Sequence, residues 1–108
     1  MISSKNLSKS FDLEKDKLSD AWINSYGLPH EEKMKIHDEY HKKSKELEDL
    51  FNKEMKKAYN CSDNTIQFAY ELEDMSDNVM SFSAIELYIV MLLNYKEEED
   101  RRLCNGLY

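Results

Sequence analysis

Residues 84–95 read A-I-E-L-Y-I-V-M-L-L-N-Y, the one long stretch of this chain that water should strongly reject. How that run is covered decides the fold. It falls far short of the roughly 20 apolar residues needed to span a bilayer, so its cover is expected to be protein. Ser83 and Glu86 have the spacing of a capping box, in which the Ser83 hydroxyl accepts from the Glu86 N–H and the Glu86 carboxylate reaches back to the N–H of Ser83. The run is therefore expected to be a helix. Its first three turns are apolar nearly all round, the pattern of a helix with neighbours on several sides.

Those neighbours are expected to be helices too. The 108 residues include two glycines and one proline, little material for hairpin turns or long loops. A content of 41% hydrophobic and 34% charged residues is that of a soluble globular domain, and the length suits a single domain over 1–108. Leu7, Phe11, Leu18, Ala21 and Trp22 share one face at the helical period, with Ser8 or Ser10 as the cap. Gly27 is expected to close this helix in the left-handed conformation, with Leu28 making the accompanying apolar contact and Pro29 opening the next helix. From there to Tyr59, the residues Ile36, Tyr40, Ser44, Leu47, Phe51, Met55 and Ala58 step along a heptad-like seam. Glu31–Lys35, Asp38–Lys42, Glu39–Lys43 and Asp49–Lys53 are i,i+4 pairs that solvate the outer face. A helix of that length spans about 45 Å, longer than a compact domain of this size requires.

Asn60-Cys61-Ser62-Asp63-Asn64 has turn chemistry, with Ser62 or Asp63 as the next N-cap. The segment that follows reads two ways. Ile66, Phe68, Tyr70 and Leu72 alternate as a strand would, whereas Phe68, Leu72, Met75 and Val79 form a helical stripe. Helix is favoured, because a lone strand over 65–72 has no partner in this chain. The expected fold is all-α, a bundle of about four helices near 8–26, 29–59, 63–79 and 83–104, packed around the C-terminal one. Phe11–Trp22, the Ile36–Ala58 seam and the Phe68–Val79 stripe are its expected covers.

The net charge of −7 is unevenly placed. The first sixty residues balance acid against base, and from Cys61 onward ten acids face only Lys96, Arg101 and Arg102. Between Lys57 and Lys96 there is no basic residue. Asp63, Glu71, Glu73, Asp74 and Asp77 form one carboxylate cluster there, and Glu97, Glu98, Glu99 and Asp100 a second. Unbalanced carboxylates steer and orient a basic partner.

Catalytic signatures are missing from the sequence: no G-x-S-x-G, no P-loop, and two glycines cannot build a phosphate cradle. No enzyme activity and no cofactor are expected. Cys61 and Cys104 form no CxxC and read as two reduced thiols. His37 and His41 stand at i,i+4, with His30 two turns earlier on the same flank, which makes a histidine-bearing helix a minor candidate for metal binding. The intervening residues are not those of the H-E-x-x-H pattern. Lys42-Lys43-Ser44-Lys45 and Lys53–Lys57 lie on a helix that carries as many acids as bases, so direct nucleic-acid binding is not expected.

Two readings of function remain. In the first, the chain is a non-enzymatic acidic binding protein of the inhibitor, antitoxin or immunity type, whose C-terminal half masks a basic nucleic-acid-binding or nuclease partner. In size, charge and helicity it resembles small inhibitors carried by phages and plasmids, a likeness too general to transfer any residue. In the second, it is a self-associating structural or regulatory protein, a homodimer paired along 29–59 through Tyr40, Leu47, Phe51 and Met55. M-I-S-S-K-N-L-S-K-S at the start lacks the apolar core of a secretory signal, and a cytoplasmic location with no membrane contact is expected.

Overall fold

A computed structural model describes residues 1–76 and 81–106, with side chains described as far as Lys96. Four helices follow one another: α1 (Lys9–Asn24), α2 (His30–Tyr59), α3 (Asp63–Met75) and α4 (Phe82–Gly106). Residues 65–72 lie inside α3, so the helical reading of that segment holds and there is no strand among the described residues. Val79 lies outside the described residues.

Each boundary has a local cause. Ser25–Gly27 form a 3₁₀ turn after α1, and the Ser25 hydroxyl donates to the Trp22 carbonyl. Gly27 keeps a negative φ, contrary to the left-handed closure expected of it. The helix tightens into 3₁₀ geometry instead, and Leu28 turns extended as the residue before a proline must. Pro29 is the N-cap of α2, where its carbonyl accepts from Lys33 N–H at 2.9 Å. Asn60 ends α2 in the left-handed conformation that asparagine tolerates better than most residues. Ser62 caps α3, its hydroxyl accepting from the Thr65 N–H at 3.3 Å.

The core lies where the second half of α2 meets α3 and the first half of α4. Phe51, Met55 and Tyr59 of α2, Ile66 and Ala69 of α3, and Phe82, Ile85, Ile89 and Val90 of α4 are buried together. Phe11 of α1 joins them edge-on to Phe51 at 5.5 Å and tilted against Phe82 at 5.9 Å. No apolar side chain before Phe51 is fully buried.

α1 and α4 cap each other. Asp12 accepts from the N–H groups of Phe82 (2.7 Å) and Ser83 (3.1 Å), which are orphan donors at the start of α4. Glu86 returns the arrangement from α4: it accepts from the N–H groups of Leu7 (3.3 Å) and Ser8 (3.0 Å) at the start of α1, from the Ser8 hydroxyl (2.6 Å) and from the Tyr59 hydroxyl. The capping box expected of Ser83 and Glu86 therefore does not form within α4. Ser81 is the residue whose hydroxyl takes a backbone donor, the N–H of Ala84, and Glu86 is 2% exposed and spent on another helix. The segment before α1 is strapped across α4 as well, since the Asn94 side chain accepts from the Ile2 N–H (2.7 Å) and donates to the Ile2 carbonyl (2.8 Å).

Beyond the core, α1 and α2 run on as a two-helix arm. Trp22 was expected over the C-terminal helix; it lies instead in this arm, with its ring 4.9 Å from His37, 5.5 Å from Tyr26 and 6.4 Å from Tyr40. Lys33 stands over the rings of Tyr26 and Trp22, and Lys15 over Tyr40. The molecule is long, with extents of 70 × 26 × 19 Å, as the arm and the continuation of α4 to Gly106 both run beyond the core. Its radius of gyration is 17.9 Å, against about 13 Å for a compact chain of this length. Of the four expected i,i+4 pairs on α2, Glu39–Lys43 closes, at 2.7 Å, and that hydrogen bond lowers the Glu39 pKa.

Candidate functional site

The surface with the most unspent chemistry belongs to α3 and α4, which pack against each other. α3 buries Ile66, Ala69 and Glu73 at i, i+3 and i+7. The stripe expected to face the core was Phe68, Leu72, Met75 and Val79. Leu72 is half-buried, but Phe68 is half-exposed and Met75 is 79% exposed. The helix is turned so that small Ala69, with nothing left exposed, sits at the contact where a larger residue would hold it away. As a result the outer arc of α3 carries Phe68, Glu71, Asp74 and Met75.

α4 is likewise not enclosed on all sides. Phe82, Ile85, Glu86, Ile89 and Val90 face inward, while Leu87, Met91 and Tyr95 form an exposed strip at i, i+4 and i+8, with Tyr95 67% exposed. Its neighbours cover the inward face and leave this strip to solvent. Large exposed apolar side chains grouped on neighbouring elements mark interaction surfaces more often than single ones do.

The nine acids expected to make up a docking face divide. Glu71 and Asp74 are exposed and have no ion-pair partner among the described residues. Asp63 is exposed but paired with Lys56 of α2. Glu73 has to be withdrawn from the surface cluster: it is 2% exposed, and its Oε1 has no hydrogen-bond partner among the described residues. Asp77 lies outside the described residues. Glu97, Glu98, Glu99 and Asp100 continue α4, and their side chains lie outside the described residues.

Of the residues expected to mediate self-association, two are spent in the core and two are half-buried. Phe51 and Met55 have no exposed surface, Leu47 is packed against the core, and Tyr40 is half-buried among Trp22, His41 and Lys15. A second copy cannot reach Phe51 and Met55 without dismantling the core.

Cys61 is half-buried beside the core, and its thiol contacts the Met55 carbonyl at 3.6 Å. Burial raises its pKa, which disfavours the thiolate form. Cys104 lies outside the described side chains. Of the three histidines, the fold brings His37 and His41 together, with their Nε2 atoms 3.0 Å apart, and leaves His30 exposed at the start of α2. Among the described residues no group of three or more His, Cys, Asp or Glu converges, and no helix is long and apolar enough to cross a membrane.

Comparison of the chain with protein-family models, curated proteins and solved structures returns no match. The fold and the character of its surfaces therefore carry the functional reading.

Proposed function

We propose that the protein is a non-enzymatic binding protein of the inhibitor, antitoxin or immunity type, which masks a basic protein partner with its α3–α4 hairpin. The observation that carries this reading is the pairing, on one outer arc of α3, of the apolar side chains Phe68 and Met75 with the exposed carboxylates Glu71 and Asp74, which have no ion-pair partner among the described residues. The apolar strip Leu87, Met91 and Tyr95 follows on the helix packed beside it. Apolar anchors supply affinity when desolvated, and surrounding carboxylates select a partner of opposite charge and speed its approach. No lysine or arginine lies between Lys57 and Lys96, so α3 itself contributes carboxylates without cations.

The test is capture of a protein from lysate of the source cells by the wild-type chain and by two variants of unchanged helicity, Glu71→Lys/Asp74→Lys and Phe68→Ser/Met91→Ser. The reading requires a basic captured protein whose binding weakens as salt rises and is lost in both variants. A captured protein held equally well by both variants would sink it.

A further inference from the structure

We propose that His37 and His41 form a binding site for a borderline transition-metal ion, of the Ni²⁺, Cu²⁺ or Zn²⁺ class, on the arm of the molecule. The two residues stand one turn apart on α2, and their Nε2 atoms converge to 3.0 Å. Two imidazole nitrogens bound to one such ion at about 2.0–2.1 Å lie roughly 2.9 Å apart in a square-planar cis arrangement and roughly 3.3 Å apart in a tetrahedral one. The observed spacing falls between these values, so the two nitrogens already stand at the separation that one ion requires. Without an ion, one Nε2 must donate to the other, and the tautomers of the two rings have to differ.

The surroundings of His37 favour the ion-bound state. Its Nδ1 is buried without a hydrogen-bond partner, 3.6 Å from Oδ1 of Asp38. A metal on Nε2 places the proton on Nδ1, where it faces the Asp38 carboxylate in the histidine–carboxylate relation common around metal ligands. The Trp22 ring packs on His37 at 4.9 Å and Tyr40 on His41 at 5.5 Å, which limits the freedom of both imidazoles. The nearby charges are mixed: Asp38 adjoins the pair, Glu39 is paired with Lys43, and Lys15 and Lys33 stand over the neighbouring rings. Such a field does not concentrate a hard cation, and among the described residues no converging carboxylates offer oxygen ligands to Ca²⁺ or Mg²⁺. Affinity has to come from imidazole coordination, with the remaining positions open to water or to a ligand from elsewhere.

Trp22 is the one tryptophan of the chain, so its fluorescence reports directly on an ion at His37. Ni²⁺ is the suitable probe, because it quenches indole emission and does not oxidise the Cys61 thiol. Titration of the untagged full chain should give saturable quenching with one ion per chain. His41→Ala leaves a single imidazole and should weaken the apparent affinity on the order of a hundredfold, since the second ligand no longer acts at the high effective concentration set by the helix. His41→Gln, which keeps a polar side chain on this exposed turn, should show the same loss, and His30→Ala should bind as the wild type does. Quenching that does not saturate, affinity retained in the His41 variants at unchanged helicity, or an equal loss in His30→Ala would each overturn the proposal.

Discussion

Within the single unbroken helix α2, the residues up to Ser44 and those from Leu47 onward follow the same apolar spacing but come to different ends. In the second half, Phe51, Met55 and Tyr59 enter a core closed by three other helices. In the first half, Ile36 and Tyr40 are half-buried, and the contacts there are aromatic and cation–π packing around Trp22 and Tyr26. The part of the molecule around this core, its head, is also locked by polar groups, because Asp12 and Glu86 each satisfy orphan donors of the other's helix, whereas toward the arm's tip α1 and α2 are joined by a short 3₁₀ turn and pack through the rings of Trp22, His37 and Tyr40. A heptad-like seam thus specifies that a helix has a partner face. How deeply the face is buried depends on how many helices reach it.

The sharpest way to break this contrast is to open the lock. Glu86→Ala leaves the N–H groups of Leu7 and Ser8 and two hydroxyls without their acceptor inside the head, and should lower the unfolding free energy by about 3–5 kcal/mol, read from the urea midpoint. That is a large share of the roughly 5–15 kcal/mol typical of a domain. Trp22→Ala should cost about 1–2 kcal/mol, and locally: helicity falls at the arm while the main transition keeps its midpoint.

A third prediction separates the regions by pH. Burial, and then the hydrogen bond donated to Glu86, raises the Tyr59 pKa; burial, and then the negative charge of Glu48 and Asp49, raises that of Tyr70 further. A tyrosine that ionises later when folded than when unfolded stabilises fully below the unfolded value of about 10, and the contribution is lost as pH climbs through the folded value. Stability of the head should therefore fall from about pH 10 upward, through tyrosines that all lie on the head side of the molecule. Tyr70→Phe should cost about 1 kcal/mol at pH 7, for the hydrogen bond to Asn52, and flatten the alkaline loss. The smallest effect expected is at the arm's tip. Gly27 has negative φ and open space around a would-be Cβ, so Gly27→Ala should stabilise by about 0.4–1 kcal/mol, as a rise in melting temperature.

The number and order of helices were legible because their punctuation is local: Pro29, Ser62 and the sparse glycines mark boundaries without reference to the rest of the fold. Which face each helix buries was less so. In α3 the large apolar residues Phe68 and Met75 suggested the inward stripe, but close approach to α4 favours small Ala69, and that choice carries Glu73 inward and the larger side chains out. The role of Glu86 was misread for a related reason. A Ser and a Glu three residues apart satisfy the local capping pattern, and only the arrival of α1 beside α4 supplies the competing donors of Leu7 and Ser8. One signal was available: Glu86 is the one charged residue in the 84–95 run, and a lone carboxylate in such a run has to be matched by buried donors. The convergence of His37 and His41 followed directly from their i,i+4 spacing, while the burial of His37 Nδ1 depended on where Trp22 came to lie.

Native-state hydrogen exchange along α2 tests the division of the molecule most directly, since both regions lie on one continuous helix. Amides from Lys33 to His41 should exchange through local opening, at free energies well below that of global unfolding, and amides from Phe51 to Tyr59 only through global unfolding, with Glu86→Ala lowering the second group far more than the first. Protection that is uniform from His30 to Tyr59, and lowered equally by that substitution, would contradict it.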